Sequence, residues 1–280
     1  MDRAHDDEVD TSEQVVRSLL ASQCPTRADR PLTPLANTGT SNALWRIHAS
    51  PGPDSIVRLP RTPGAEPPIL VDHQLLPPLA SSPLSRSLEL PALVHAGQPD
   101  NSFPLHWAVL AWIEGEDAWT ARHKLQRSEK ALAHQLAETV QLVGSLTDLP
   151  APQRQPGDRG GPLVPLLDRL HRWLDDPYWS AGDLIAGNVL TNHGQLSAII
   201  DWGTAGYGDN AQDLTPAWSI LSDRTRQGFQ AAVGANDPTW LRGKMFALEQ
   251  AVGGVLYYVP RKHPLGDVMT RTLSRILTDG

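Results

Sequence analysis

The chain has 280 residues, 40% of them hydrophobic, which is enough to build a folded protein with a sizeable core. Its formal net charge of −7 argues against a nucleic-acid partner, because phosphate backbones attract basic surfaces. The single cysteine excludes an internal disulfide, and no apolar run approaches the ~20 residues that a membrane helix needs. With an acidic N-terminus that does not resemble a signal peptide, we expect a cytoplasmic protein that binds neither nucleic acid nor membrane.

The first predicted element is a helix near the N-terminus. Apolar residues at helical spacing indicate its buried face, and these are Val15, Val16, Leu19 and Leu20. Thr11 and Gln14 have the spacing of a capping box at its start. Pro25 predicts an end near Gln23, because proline cannot continue a helix.

Strand patterns follow the helix. Residues 32–50 read as a strand, a turn that contains glycine and a second strand, and 55–60 (SIVRLP) as a third strand. Residues 90–97 and 106–113 predict two further strands, the second of which is apolar and runs into a charged turn. The pattern favours a small antiparallel sheet.

The second half of the chain is mostly helical in pattern. Residues 127–147 predict a long helix whose buried face would carry Leu132, Leu136, Val140 and Val143. Residues 150–162 have loop composition, and Pro162 would open a short helix. Near the C-terminus we predict helices over about 223–233 and 265–277, with Asp237 capping the helix between them.

A polar constellation lies between these helical stretches. Asp183 follows a glycine in a short turn, and Asn188 and Asp201 lie at the two ends of a predicted hairpin whose turn is Asn-His-Gly over 192–194. Two carboxylates and an amide are oxygen donors that suit Mg2+. Zinc is not favoured, because no cysteine lies nearby and the histidine is in the turn.

These residues carry a resemblance to a known family. Asp183-Leu-x-x-Gly-Asn188, then Ile-Ile-Asp201-Trp-Gly, then Gly-Asp209-x-x-x-Asp213-Leu are similar to the signature of the bacterial aminoglycoside phosphotransferase and choline kinase-like family. The resemblance implies an α+β, two-lobed protein-kinase-like fold. It predicts residues 1–113 as a small antiparallel-sheet lobe that covers the nucleotide, and residues 114–280 as a larger helical lobe with the catalytic loop, the metal site and the acceptor site.

The resemblance implies a role for each residue of the motif. Asp183 matches the catalytic carboxylate that orients or deprotonates the acceptor hydroxyl. Asn188 and Asp201 match the ligands of Mg2+ on the nucleotide phosphates. We interpret Asp209 and Asp213 as structural.

The resemblance also predicts a nucleotide site in the first lobe. Arg58 lies where such folds place the basic side chain that binds the nucleotide phosphates, and Arg61 is a nearby alternative. The plain interpretation of Arg58 is a surface arginine on a strand. Asp72 matches the acidic side chain that forms an ion pair with this basic side chain, although it is one methylene shorter than the family's Glu. The alternative is a solvated helix residue.

Two backbone segments would complete that site. The turn with Gly39, Thr40 and Ser41 would lie over the phosphates of ATP or GTP. Backbone groups around Ala111 and Ile113 would bind the adenine or guanine base of the nucleotide. We interpret Trp112, which lies between them, as a core residue.

This chain departs from the family in two places. Ala181 stands where the family usually has a histidine that braces the catalytic loop, and Ile185-Ala186 stands where the family usually has His-Pro. The insert that precedes the catalytic loop is short, which indicates an altered acceptor pocket.

We therefore predict a phosphotransferase that uses Mg2+ and moves the γ-phosphate of ATP or GTP to a hydroxyl of a small molecule, such as an aminoglycoside or other cationic antibiotic. The alternative is a kinase-like protein that binds nucleotide or ligand without catalysis. We expect a monomer or a weak homodimer.

Overall fold

The computed structural model describes residues 7–35, 41–150 and 178–278. The chain divides into two compact units, which we call the first and the second unit. The first consists of Met1–Ala80 and Pro91–Ile113, and the second of Ser81–Leu90 and Glu114–Gly280.

A five-stranded antiparallel sheet forms the centre of the first unit. Its strands are β1 (Leu32–Pro34), β2 (Asn42–Ile47), β3 (Ser55–Pro60), β4 (Leu93–Gly97) and β5 (Trp107–Ala111). The spatial order is β1-β2-β3-β5-β4, so β3 is the central strand. Arg58 lies on this strand, opposite Leu44 of β2 and Ala108 of β5.

Two helices accompany the sheet, α1 (Glu13–Gln23) and α2 (Pro67–Ala80). The predicted face of α1 is buried with Ile47, Val57 and Trp107 in one apolar cluster. Each such burial contributes about 1.5–3 kcal/mol. The predicted helix is confirmed, but the capping box is wrong, because the N-cap is Ser12, whose backbone N–H donates to the Asp10 carboxylate at 2.9 Å.

The second unit contains a three-stranded sheet and a separate strand pair. The sheet is β6 (Glu116–Asp117), β8 (Val189–Asn192) and β9 (Gln195–Ile199), and the pair is β7 (Tyr178–Ser180) with β10 (Gly206–Gly208). The predicted hairpin is confirmed. Its turn residues His193 and Gly194 have φ values of 50° and 78°, the left-handed conformation that a two-residue turn between twisted strands requires.

Five α-helices belong to the second unit within the described residues. They are α3 (Glu129–Gly144), α4 (Pro216–Ser219), α5 (Asp223–Val233), α6 (Asp237–Tyr258) and α7 (Leu265–Thr278). All four residues of the predicted apolar face of α3 are buried. None of the helices within the described ranges is long and apolar enough to cross a membrane.

The helix predictions near the C-terminus are confirmed, with one correction. The side chain that caps α6 belongs to Asn236, which accepts a hydrogen bond from the Thr239 N–H at 2.9 Å, and Asp237 is the first helical residue. Asn236 has the extended backbone of a capping position, with φ −68° and ψ 166°. The helix predicted after Pro162 lies outside the described residues.

Two partly buried histidine side chains in the first unit predict that it is sensitive to acid. Burial lowers the pKa of His73, whose Nε2 is 2.9 Å from the Trp107 carbonyl oxygen, and it lowers the pKa of His95. As the pH falls through about 6.5, these histidines therefore become protonated in the unfolded chain before they do so in the folded chain. We expect the free energy of unfolding to fall between about pH 7 and pH 5.

Urea unfolding at several pH values measures this effect. His73→Gln should flatten the pH dependence, because the side chain that resists protonation is gone. The exposed His134→Gln is the matched control, and it should leave the slope unchanged. Equal slopes in the wild type and His73→Gln would contradict the assignment.

Candidate active site

A buried carboxylate organises the loop that carries Asp183. Asp213 is 1% exposed and accepts hydrogen bonds from the Ser180 hydroxyl at 2.9 Å, the Ala181 N–H at 2.9 Å and the Gly182 N–H at 2.8 Å. Gly182 has φ 82°, a conformation that glycine adopts without strain, and it turns the chain toward Asp183. The loop is thus held through its backbone, without a histidine at Ala181.

Asp183 accepts hydrogen bonds from two amide side chains. Asn188 Nδ2 lies 3.0 Å from Asp183 Oδ2 and also 3.0 Å from its backbone oxygen. Gln250 Nε2, on α6, lies 2.6 Å from Asp183 Oδ1. Both carboxylate oxygens are therefore held in place, and the carboxylate is only partly exposed.

The hairpin brings Asp201 beside Asn188. The Ile200 N–H donates to the Asn188 carbonyl at 2.9 Å, so the residue after Ile200 emerges next to Asn188. Asp201 has φ 61°, which is strained for a residue with a side chain, and such strain concentrates at functional sites. The structure brings Asp183, Asn188 and Asp201 to the same end of the hairpin, as the spacing predicts.

Asp209 fixes the helix that carries Gln250. Its buried carboxylate accepts from the Ala211 N–H at 2.9 Å and from Arg242 Nε of α6 at 2.8 Å. Arg242 and Gln250 are two helical turns apart on α6. The ion pair therefore ties this helix to the segment that contains Asp213, and it sets the position of Gln250.

Arg58 and Asp72 form a direct, buried ion pair in the first unit. Arg58 Nη1 lies 2.7 Å from Asp72 Oδ2, and the two side chains are 9% and 1% exposed. The amide oxygen of Asn42, turned toward the guanidinium, lies 3.2 Å from both Nε and Nη2. The plain interpretations of these residues, a surface strand arginine and a solvated helix acid, are wrong, and the shorter acid needs no bridging water.

Replacing Asp72 with Asn tests what the charge contributes. The amide oxygen can keep the hydrogen bond to Arg58, but the charge attraction is lost inside the protein. We expect the free energy of unfolding to fall by about 1.5 kcal/mol in urea titrations. The exposed Asp29→Asn in the same unit should change it by less than about 0.5 kcal/mol, and equal losses would contradict a buried pair.

The backbone groups predicted to hold the base are partly engaged. The Ala111 N–H donates to the Ala92 carbonyl at 2.9 Å, and the Trp112 N–H donates to the Asp54 carbonyl at 3.1 Å. Ile113 is buried. Trp112 is not a core residue, because its ring is partly exposed and the Arg46 guanidinium lies over it at 3.9 Å from the ring centroid.

The phosphate-covering turn lies only partly within the described residues. Ser41 is exposed, and its carbonyl accepts from the Arg61 N–H at 2.8 Å, which extends the pairing of β2 and β3. Gly39 and Thr40 lie outside the described residues.

Two polar partners of the site were not predicted. Asn42 is in sequence an ordinary strand residue, and Gln250 lies on a helix with no polar motif, 67 positions from Asp183. No spacing rule connects either residue to its partner. The signal that finds them is the three-dimensional contact with a predicted site residue.

Solved structures show that the fold is protein-kinase-like. The GDP and kanamycin complex of APH(2")-IIIa superposes with a TM-score of 0.69 at 17% identity, over 94% of this chain and 97% of that one. The streptomycin and ATP ternary complex of APH(2")-IIa gives 0.60 at 14%, over 96% and 99%. The macrolide 2'-phosphotransferase MphH from Brachybacterium faecium gives 0.60 at 17%, over 91% and 97%.

The model of the phosphotransferase enzyme family, APH, matches residues 32–181 and 182–246. The chain therefore belongs to this family, and the predicted membership and fold class are confirmed. No curated protein sequence matches the chain.

Proposed function

We propose that this protein transfers the γ-phosphoryl group of ATP or GTP to a hydroxyl group of a small molecule, with Mg2+ bound to the phosphates. The observation that carries the proposal is the Asp183 carboxylate, held by Asn188 and Gln250 beside Asp201 in a phosphotransferase-family chain.

Asp183 would act on the acceptor hydroxyl. Two amide donors fix its orientation, and a carboxylate oxygen can accept more than one hydrogen bond, so Asp183 would also accept one from the hydroxyl. The carboxylate would align the hydroxyl with the transferring phosphorus and take its proton. In phosphoryl transfer this positioning provides most of what a protein contributes.

Asn188 and Asp201 fit a Mg2+ site that the nucleotide completes. Asn188 turns its amide nitrogen toward Asp183, which directs its oxygen to the other side, and Asp201 supplies a carboxylate. Within the described ranges, no group of three or more His, Cys, Asp or Glu could hold a metal by itself. This agrees with Mg2+, which takes one or two protein oxygens together with phosphates and water. When bound, the ion would neutralise charge on the phosphates.

Arg58 would bind the nucleotide phosphates in the first unit. Asp72 and Asn42 hold its guanidinium in a set orientation, so little conformational entropy remains to be lost on binding. Ser41, with Gly39 and Thr40, would cover the phosphates. Since the Ala111 and Trp112 N–H groups are engaged, the base would bond to the Ala111 carbonyl and to backbone groups of Ile113.

An acceptor screen tests the proposal directly. The purified protein would be incubated with Mg2+ and either ATP or GTP, together with aminoglycosides, macrolides and peptide antibiotics. We expect mass spectrometry to detect a phosphorylated product with at least one acceptor. Solved relatives are complexes with kanamycin and streptomycin or are macrolide enzymes, so these compounds are the first choices.

The same samples distinguish the proposed phosphotransferase from the alternative, a kinase-like protein that binds nucleotide without catalysis. Binding of nucleotide with Mg2+, without transfer to any acceptor and without hydrolysis, would favour a kinase-like binding protein. Absence of nucleotide binding would contradict both functions. A cytoplasmic location and a monomer or weak homodimer belong to the proposal, and light scattering during size-exclusion chromatography measures the oligomeric state.

A further inference from the structure

A cavity of about 470 Å³ in the second unit has more basic than acidic side chains in its lining. It lies among α3, α7, the segment 118–127 and the start of α5, and none of its lining residues belongs to the loop of Asp183 or to α6. Its described lining carries six basic side chains and two acidic ones, which are Arg122, Arg127, Lys130, Arg224, Arg271 and Arg275, with Glu129 and Asp223. This is unexpected in a chain whose net charge is −7.

Three of the arginines are partly buried, and these carry the argument, because exposed charges are screened by water. Arg122 Nη1 donates to the Trp119 carbonyl at 2.7 Å, and Arg275 Nη1 donates to the Trp218 carbonyl at 3.1 Å. In the part of the chain that the structure describes, Arg122, Arg271 and Arg275 form no ion pair with a carboxylate.

The two acids of the cavity are directed to other partners. Glu129 accepts hydrogen bonds from the backbone N–H of Ser222 and, at 2.9 Å, from its hydroxyl. Asp223 Oδ1 lies 2.9 Å from Nη2 of Arg226, which is a buried neighbour. Each carboxylate is therefore engaged at the N-terminal end of α5. Within the described residues neither forms an ion pair with the three arginines, and Glu129 attracts Arg271 and Arg275 only from a longer distance.

The electrostatics agree with this geometry. Burial, and next the charge of Arg271, lowers the pKa of Arg275 to about 10. Burial, and next the charge of Arg122, also lowers the pKa of Arg271. Arg271 and Arg275 therefore lie close enough to other positive charges to be repelled by them, and the smaller effect of Glu129 offsets part of this repulsion.

Trp119 holds two of these guanidinium groups at one wall. Arg122 lies 4.3 Å and Arg271 lies 5.5 Å from the centroid of its indole ring. Cation–π contacts of this kind orient the groups without neutralising them. This wall of the cavity therefore has two guanidinium groups, each with several N–H donors, beside the indole ring of Trp119.

We propose that this cavity binds a small molecule that carries a dianionic phosphate or sulfate group. Guanidinium groups bond such oxyanions through two parallel N–H bonds, and a bound dianion would offset the mutual repulsion of the three arginines. The volume exceeds that of the anion alone and suits a small metabolite. The inference does not depend on the proposed phosphotransfer, because it uses none of the residues of that site.

Calorimetric titration of the whole chain with inorganic phosphate, sulfate and a simple phosphomonoester tests the proposal. EDTA removes Mg2+ and so limits binding at the Mg2+-dependent site. Constant ionic strength excludes non-specific salt effects. We expect saturable binding of one equivalent, with chloride as the inactive anion. Arg271→Gln should weaken binding by at least about tenfold, because a charge-assisted contact is lost.

Two further variants separate charge from folding. Arg271→Lys keeps the charge but loses the fork, and it should bind with intermediate affinity. Arg261→Gln is the control, because Arg261 likewise lies over an aromatic ring, at 3.9 Å from the centroid of Tyr257, but outside the cavity. Failure of the wild type to bind any of the oxyanions, or equal binding by the wild type and Arg271→Gln, would overturn the proposal, as would an equal loss in Arg261→Gln.

Discussion

Replacing Asp183 with Asn should lower the rate of phosphoryl transfer by about 10²–10⁴-fold and leave nucleotide affinity nearly unchanged. The amide cannot accept the acceptor's proton. Its NH2 group would also face an amide donor, since Asp183 accepts from Asn188 on one oxygen and from Gln250 on the other. The variant thus loses both the base and one of the contacts that orient it.

Two assays check this expectation. Single-turnover transfer with an identified acceptor measures the rate, and calorimetry with Mg2+ and nucleotide measures affinity. Asp201→Ala is the informative comparison, because it should lose Mg2+-dependent nucleotide binding. Gln250→Ala leaves the carboxylate in place and should reduce the rate less than Asp183→Asn. Unchanged turnover in Asp183→Asn would remove this residue from the mechanism.

Replacing Asp213 with Ala should destabilise the protein by about 3–5 kcal/mol and abolish transfer. The substitution leaves the Ser180 hydroxyl and the Ala181 and Gly182 N–H groups buried without their acceptor. Each unsatisfied donor costs about 1–3 kcal/mol, partly recovered where the loop relaxes toward water. The relaxed loop would no longer place Asp183 beside Asn188.

Asp213→Asn provides a graded comparison. Its amide oxygen, in the place of Oδ1, keeps the bonds from Ser180 and Gly182, while its nitrogen faces the Ala181 N–H. We expect a loss of about 1–3 kcal/mol in urea unfolding. The exposed Asp148→Ala should change stability by less than about 0.5 kcal/mol. Equal stability of Asp213→Ala and the wild type would show that the carboxylate does not hold the loop.

The parts of the fold that could be predicted are those that depend on residues close together in the sequence. The β8–β9 hairpin follows from two apolar runs around Asn-His-Gly, and α1 and α3 follow from helical spacing of apolar residues. The same hairpin places Asn188 beside Asp201, so this part of the candidate site could be predicted. The sequence defines element boundaries less closely, as the cap at Asn236 shows, because neighbouring polar residues compete for that position.

Local sequence patterns predict the strands and helices, place Asp183, Asn188 and Asp201 around one hairpin, and indicate the family. The folded structure was needed to show that Arg58 is buried with Asp72 and contacts Asn42, that Gln250 donates a hydrogen bond to Asp183, and that Asp213 anchors the loop. It also decided that Arg122, Arg271 and Arg275 share a cavity. The physical reason is that periodicity and turn chemistry act over a few residues, whereas these contacts join side chains that only the packing of distant elements brings together.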